Sequence, residues 1–174
     1  MCDDNSSRAS AGDLGECQMN QVIVYTDGSC RGNPGPGGWG VVLLTKDRSR
    51  RKELSGSSPH TTNNEMELRA AIEGLRALKN PCKVEVRSDS RYLVDAGNKK
   101  NRIKSHRELW QELFKLKARH EVWFVWLKGH NGHPENEQAD ELAKEAALDA
   151  DLDAAYDEQL EDERLDALGA TASD

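Results

Sequence analysis

Four carboxylates stand in separate local contexts: Asp27 in VIVYTDGSC, Glu67 in TTNNEMELRAA, Asp89 in VEVRSDSRY and Asp140 in KGHNGHPENEQADELA. If the fold gathers them, they make a site for hard divalent cations, because carboxylate oxygens suit Mg²⁺ and a substrate's phosphate oxygens complete its octahedron. Two such ions about 3.5–4 Å apart activate an attacking water on one side of a phosphorus and stabilise the leaving oxygen on the other. Taken singly, each acid has a plainer reading. Asp27 is a turn former before Gly28, Glu67 and Asp89 are helix-start acids favoured by the dipole, and Asp140 is a solvated helix residue. Two acids ending apolar strand-like runs, with two more in helical patterns, form a rarer set that favours the metal site.

Those acids need elements to carry them. QVIVYTD, residues 21 to 27, is apolar on both alternating faces and reads as a central, doubly covered strand. WGVVLLT (39 to 45) and RRKELSGSS (50 to 58) continue an antiparallel meander, the latter polar enough to be exposed. The glycine run GNPGPGGWG lacks the Lys-Ser ending of a phosphate loop and reads as the turn between the first two strands. Leu68, Ala71, Ile72, Leu75 and Leu78 then share a helical face, with Thr62 and Glu65 set as a capping box. KVEVR alternates as a strand ahead of a short helix ending near Gly97. A stripe through Leu109, Leu113 and Leu116 marks another helix, and EVWFVWLK is the most apolar strand. Pro134 opens the last helix, with Ala139, Leu142, Ala143 and Ala146 as its buried face. The pattern predicts an α/β domain with a five-stranded mixed sheet, an antiparallel meander plus two parallel strands, and helices packed on it. Parallel neighbours lie about 4.8 Å apart, so strands ending at Asp27 and Asp89 would converge their carboxylates at one edge. Four acids crowded without metal raise one another's pKa values.

Charge divides the chain in three. Residues 1–20 carry −3, residues 21–148 carry +5 and residues 149–174 carry −9, which together give the overall −7. The hydrophobic content of 36% is low for a chain folded throughout. We expect an acidic disordered leader over 1–20, a catalytic domain over 21–148, and an acidic tail over 149–174 that is disordered or partly helical through Leu160, Leu165 and Leu168. The mildly basic body is what a polyanion-binding protein needs. Cys2, Cys17, Cys30 and Cys82 form no CxxC pair and no signal peptide or long apolar run is present, so a cytoplasmic protein without membrane attachment is expected. His130 lies between Gly129 and Asn131 ahead of the last helix, where an imidazole titrating near neutrality could reach the site; with His133 it lacks the further Cys or His that zinc requires.

The stretches TDGSCRGNPGPGGWG, TTNNEMELRAAIEGL, SDSRYL and WLKGHNGHPENEQADELA, in that order over residues 21–147, resemble the signature blocks of type 1 ribonuclease H. The resemblance implies that fold, with Asp27, Glu67, Asp89 and Asp140 as metal-binding catalytic carboxylates. It implies two Mg²⁺ ions during catalysis, with Mn²⁺ possible in their place, and His130 assisting proton transfer or product release. The implied substrate is an RNA/DNA hybrid, cut in its RNA strand to 5′-phosphate and 3′-hydroxyl ends. It also implies contacts from Cys30, Asn33, Asn63 and Asn64 to the RNA strand and from Thr62 to a DNA phosphate. Such small polar groups suit the reading of 2′-hydroxyls in a wide minor groove, although Asn33-Pro34 is also a turn and Thr62 also a helix cap.

One departure stands out. Many family members carry a basic, Trp-rich insertion after the third catalytic Asp, yet only 20 residues separate Asp89 from Trp110 here. The protein is thus expected to be bacterial-like and to lack that protrusion, leaving Lys99, Lys100, Arg102, Lys104 and Arg107 as a short basic segment, either a partial substitute grip or a solvated loop. A monomer is expected, with no protein partner inferable. Two other functions compete. A hybrid-binding module that no longer cuts is weakened by the presence of all four acids and the histidine, and a DNA-directed transferase by the TTNNEMEL block.

Overall fold

The computed structural model describes residues 21–98, 103–129 and 132–169. The leader expected over 1–20, His130, and the bases Lys99, Lys100 and Arg102 lie outside the described residues. Among those described, the elements run β1 (Gln21–Cys30), β2 (Gly35–Thr45), β3 (Arg51–Thr61), α1 (Asn63–Arg76), β4 (Lys83–Ser88), α2 (Arg91–Gly97), α3 (Arg107–Lys117), β5 (Glu121–Trp126) and α4 (Pro134–Gly169). The strands form one sheet in the order β3-β2-β1-β4-β5. β1 pairs antiparallel with β2 and β2 with β3, while β1 pairs parallel with β4 and β4 with β5. The expected mixed sheet is thus realised, with β1 at its centre.

One face carries the larger core. Val24, Val41, Val84, Val86 and Phe124 from the sheet meet Leu68, Ile72 and Leu75 of α1, Leu93 of α2, and Trp110 and Leu113 of α3. The period-2 alternation of the strands and the helical period of α1 both aim their apolar residues at this layer. α1 starts at the expected cap, the Thr62 hydroxyl accepting from the Glu65 N–H at 3.4 Å, but the Glu65 carboxylate pairs with Arg69 at 3.2 Å, so the expected capping box is realised only in its Thr62 half.

The other face is covered by α4, which packs on β1, β2 and β3. Here the glycine run departs from expectation: it is largely strand, β2 beginning at Gly35 with a register irregularity between Gly35 and Gly37. The reason is proximity. A Cβ on Gly40 would lie 2.1 Å from the Ala139 carbonyl oxygen, and one on Gly38 would lie 2.4 Å from that of Ala143. Only hydrogen at those two Cα atoms lets the helix backbone rest on the strand. α4 supplies small residues in return, Ala139, Ala143, Ala146, Ala147 and Ala150 all being buried. The packed stretch therefore reaches Ala150, and the helix itself continues through the acidic segment.

Because α4 stops short of β4 and β5, the most apolar strand by sequence is poorly buried. Only Phe124 of β5 is buried, and Trp123 and Trp126 are 39% and 38% exposed. No helix among the described residues is long and apolar enough to cross a membrane.

Candidate metal centre

Asp27 sits near the end of β1, Asp89 immediately after β4, and Glu67 in the second turn of α1. Parallel pairing of β1 with β4, in the register Tyr25 to Arg87, brings the first two to the same sheet edge. Gly28 brings the third. A Cβ there would stand 2.4 Å from the Glu67 backbone nitrogen, so glycine beside Asp27 lets α1 close onto β1. Ligand oxygens of Asp27, Glu67 and Asp89 all lie within 4.8 Å of one another. Two hydrogen bonds to backbone carbonyls fix the Asp89 corner: the Trp126 indole N–H donates to that of Asp89 at 3.0 Å, and the Leu127 N–H to that of Ser88 at 2.9 Å.

The electrostatics of this cluster are unfavourable as it stands. Burial, then the charge of Asp89, pushes the Asp27 carboxyl up to about 7 despite the Gly28 N–H, which donates to its Oδ1 at 2.8 Å. Burial, then the charges of Asp27 and Asp89, holds Glu67 well above the usual carboxylate range. Glu67 Oε2 is buried with no hydrogen-bond partner, while Oε1 accepts from the Asn63 side-chain amide at 3.5 Å. A buried carboxylate oxygen without a donor, facing two more acids, fits a multivalent cation: it supplies the missing partner and the counter-charge together.

Asp140 stands beside this trio rather than within it. It lies in the second turn of α4, and it raises Asp27 further through its charge and a hydrogen bond between the two side chains. Its Oδ2 accepts from Lys144 Nζ at 2.6 Å, an i,i+4 pair, and the Lys144 ammonium is held above its usual pKa by that bond. The close seating of α4 on Gly40 explains the approach, since Gly40 pairs with Asp27 in the β1–β2 ladder.

The expected substrate contacts form one continuous patch. Cys30 ends β1, its thiol donating to the carbonyls of Thr61 at 3.4 Å and Gly35 at 3.5 Å, and burial pushes the thiol pKa up. The Asn33 side-chain oxygen accepts from the Asn63 N–H at 3.3 Å, joining the β1–β2 turn to the start of α1. Asn64 is exposed beside Asn63. Thr62 caps α1 and also meets His106 Nε2 at 3.4 Å.

That histidine is one of three neighbours the sequence reading passed over. His106 sits at the N-cap of α3 with φ +54, and its Nδ1 meets the Tyr92 hydroxyl at 3.2 Å. Nothing in the local sequence foretells a contact between residues 44 positions apart. Lys144, by contrast, was legible as an i+4 partner of Asp140. The third, Arg31, lies in the β1–β2 turn and pairs with Asp151 of α4.

The family model described as RNase H matches residues 19–148. A ribonuclease H of Erythrobacter litoralis is 54% identical over 139 residues, spanning 72% of this chain and 94% of that relative. One from Symbiobacterium thermophilum is 51% identical over 139 residues, covering 72% and 93%. Among solved structures, the chain is similar to LC11-RNase H1 in complex with an RNA/DNA hybrid, at TM-score 0.66 and 32% identity over 74% of this chain and 98% of that one. It is also similar to the N-terminal RNase H domain of a Mycobacterium tuberculosis protein, at TM-score 0.70 and 29% identity, covering 78% and 99%.

Proposed function

Because the chain belongs to the ribonuclease H family, we propose that it is an endoribonuclease that hydrolyses the RNA strand of RNA/DNA hybrids with Mg²⁺, leaving 5′-phosphate and 3′-hydroxyl ends. The observation that carries this reading is the clustering of Asp27, Glu67 and Asp89 oxygens within 4.8 Å at the end of two parallel strands. These three, with Asp140 beside them, would hold two divalent cations, Mg²⁺ or in its place Mn²⁺. Bound there, such cations supply water activation and charge stabilisation at the scissile phosphate.

The remaining work falls to the chain's own side chains. The patch of Cys30, Asn33, Asn63 and Asn64 orients the RNA strand through its 2′-hydroxyls, which is how a protein tells RNA from DNA. Cys30 acts through position: its thiol is spent on two backbone carbonyls, and a thiol pKa raised by burial makes it a poor nucleophile. Thr62 stands at a helix N-terminus, where free backbone N–H groups favour phosphate, and we assign it to the DNA strand. His130 is assigned proton transfer or product release on the family resemblance. Lys104 and Arg107, both exposed, add positive charge near the α3 start and assist the grip on the DNA strand. In this reading residues 21–148 are the catalytic domain, flanked by an acidic leader and an acidic tail, acting as a monomer in the cytoplasm.

The test is incubation of the purified chain with labelled hybrid, duplex DNA and duplex RNA, each with Mg²⁺ and with EDTA. Cleavage of the RNA strand of the hybrid alone, abolished by EDTA and leaving 5′-phosphate ends, is expected. Binding without cleavage would turn the assignment to a hybrid-binding module, and cutting of duplex DNA to a DNA-directed enzyme.

A further inference from the structure

α4 runs in step with β1. The Ala139 carbonyl lies over Gly40, which pairs with Asp27, and the Ala143 carbonyl and Ala147 nitrogen lie over Gly38, which pairs with Ser29. One turn further on, Asp151 meets Arg31, whose Nε donates to Asp151 Oδ2 at 2.6 Å. From Asp151 to Gly169 the helix continues for about 27 Å at the standard rise per residue. The sequence from Asp149 onward holds ten acids and one base. An acid-rich helix therefore leaves the body of the protein beside the turn that carries Arg31 and Asn33.

That turn belongs to the substrate face, since Asn33 is bonded to the start of α1 through the Asn63 N–H. Arg31 is two residues from Asn33 and its side chain is 53% exposed, with Asp151 at 39%. An ion pair this open to solvent is weak. A guanidinium binds the paired oxygens of a phosphate as readily as those of a carboxylate, and a nucleic-acid backbone offers a far denser array of charge than one aspartate. The exchange is therefore within easy reach of a bound duplex.

We propose that Arg31 is a phosphate-backbone contact for the hybrid, held in reserve by Asp151, so that the acidic end of α4 sets how tightly substrate binds. The inference rests on the ribonuclease H reading. Substrate binding swaps one partner of Arg31 for another. The clamp is specific to the pair: it differs from general repulsion by the tail because it acts through one guanidinium.

The test is steady-state cleavage of labelled hybrid by the full chain and by Asp151→Asn, Arg31→Gln and the double variant, across a salt series. Asp151→Asn is expected to lower KM about two- to five-fold at low salt with kcat unchanged. Arg31→Gln is expected to raise KM and reduce the slope of log KM against log salt by about one. In the double variant the gain from Asp151→Asn should vanish. An equal gain in the Arg31→Gln background would mean that Asp151 acts only by bulk repulsion and would overturn the clamp, as would an Arg31→Gln enzyme with unaltered KM and salt slope. A wild-type chain that leaves hybrid uncut removes the ribonuclease H reading and this inference with it, whereas normal cleavage with indifferent variants removes this inference alone.

Discussion

On one face of the sheet, α1, α2 and α3 rest on Val24, Val41, Val84 and Val86 through Leu68, Ile72, Leu75, Leu93 and Leu113, a thick layer of branched side chains. On the other, α4 comes down on Gly38 and Gly40 with alanines, so close that helix carbonyls occupy the space a strand Cβ would need. The first arrangement stabilises through apolar area removed from water. The second gives up area for proximity, and proximity is what delivers Asp140 to Asp27. Asp27 stands where the two meet, with Glu67 brought from the α1 side and Asp140 from the α4 side.

Breaking the junction should have the largest effect. Asp27→Asn removes one carboxylate oxygen of the cluster at almost constant volume, and turnover on hybrid is expected to fall by more than about 100-fold while the circular dichroism spectrum is unchanged. Near-normal rates with Mg²⁺ would remove Asp27 from the site. On the thick face, Leu75→Ala should cost about 2–5 kcal/mol by denaturant melt, with activity per folded molecule close to wild type. Gly40→Ala should sharpen the contrast. Its new methyl meets helix backbone, so a cost of about 1–3 kcal/mol is expected together with a fall in kcat, because the strain is relieved by moving the helix that carries Asp140. A Gly40→Ala enzyme that loses stability but keeps kcat would separate the packing of α4 from the site.

A further effect is in the pH dependence of stability. In metal-free protein the Asp27 carboxyl is pushed from 3.8 up to about 7, so it favours the folded state while protonated. That contribution is whole below about 4 and is lost as pH rises through about 7. The melting temperature of EDTA-treated protein should therefore decline over that window by roughly 2–4 °C for each kcal/mol lost. Saturating Mg²⁺ and the Asp27→Asn substitution should each flatten the curve. A wild-type melting curve equally flat without metal would contradict the crowding of the carboxylates.

Much of the thick face was legible in the chain. The apolar run before Asp27 marked the central strand, the Thr62 and Glu65 pair marked the start of α1, and the alternation of KVEVR placed a strand before Asp89. These are local signals, carried by residues a few positions apart. The thin face was not. Glycine reads as a turn former in sequence, yet Gly38 and Gly40 are strand residues whose missing side chains serve a helix about 100 positions later in the chain. The edge position of β5, the most apolar strand by sequence, likewise lies beyond the reach of α4 and leaves Trp123 and Trp126 half open. His106 beside Thr62 and Arg31 beside Asp151 join segments whose meeting no local pattern encodes.

By itself the sequence determined which residues could hold a cation, where most of the strands and helices lie, and the sheet class, because side-chain period, capping chemistry and carboxylate identity are properties of short stretches. Only the tertiary structure decided which acids share a pocket and which one stands at its border. It also decided that an acidic helix passes beside the turn that carries Arg31 and Asn33. Distances between remote segments depend on how closely backbones can pack, and that is settled by the shape of both partners at once.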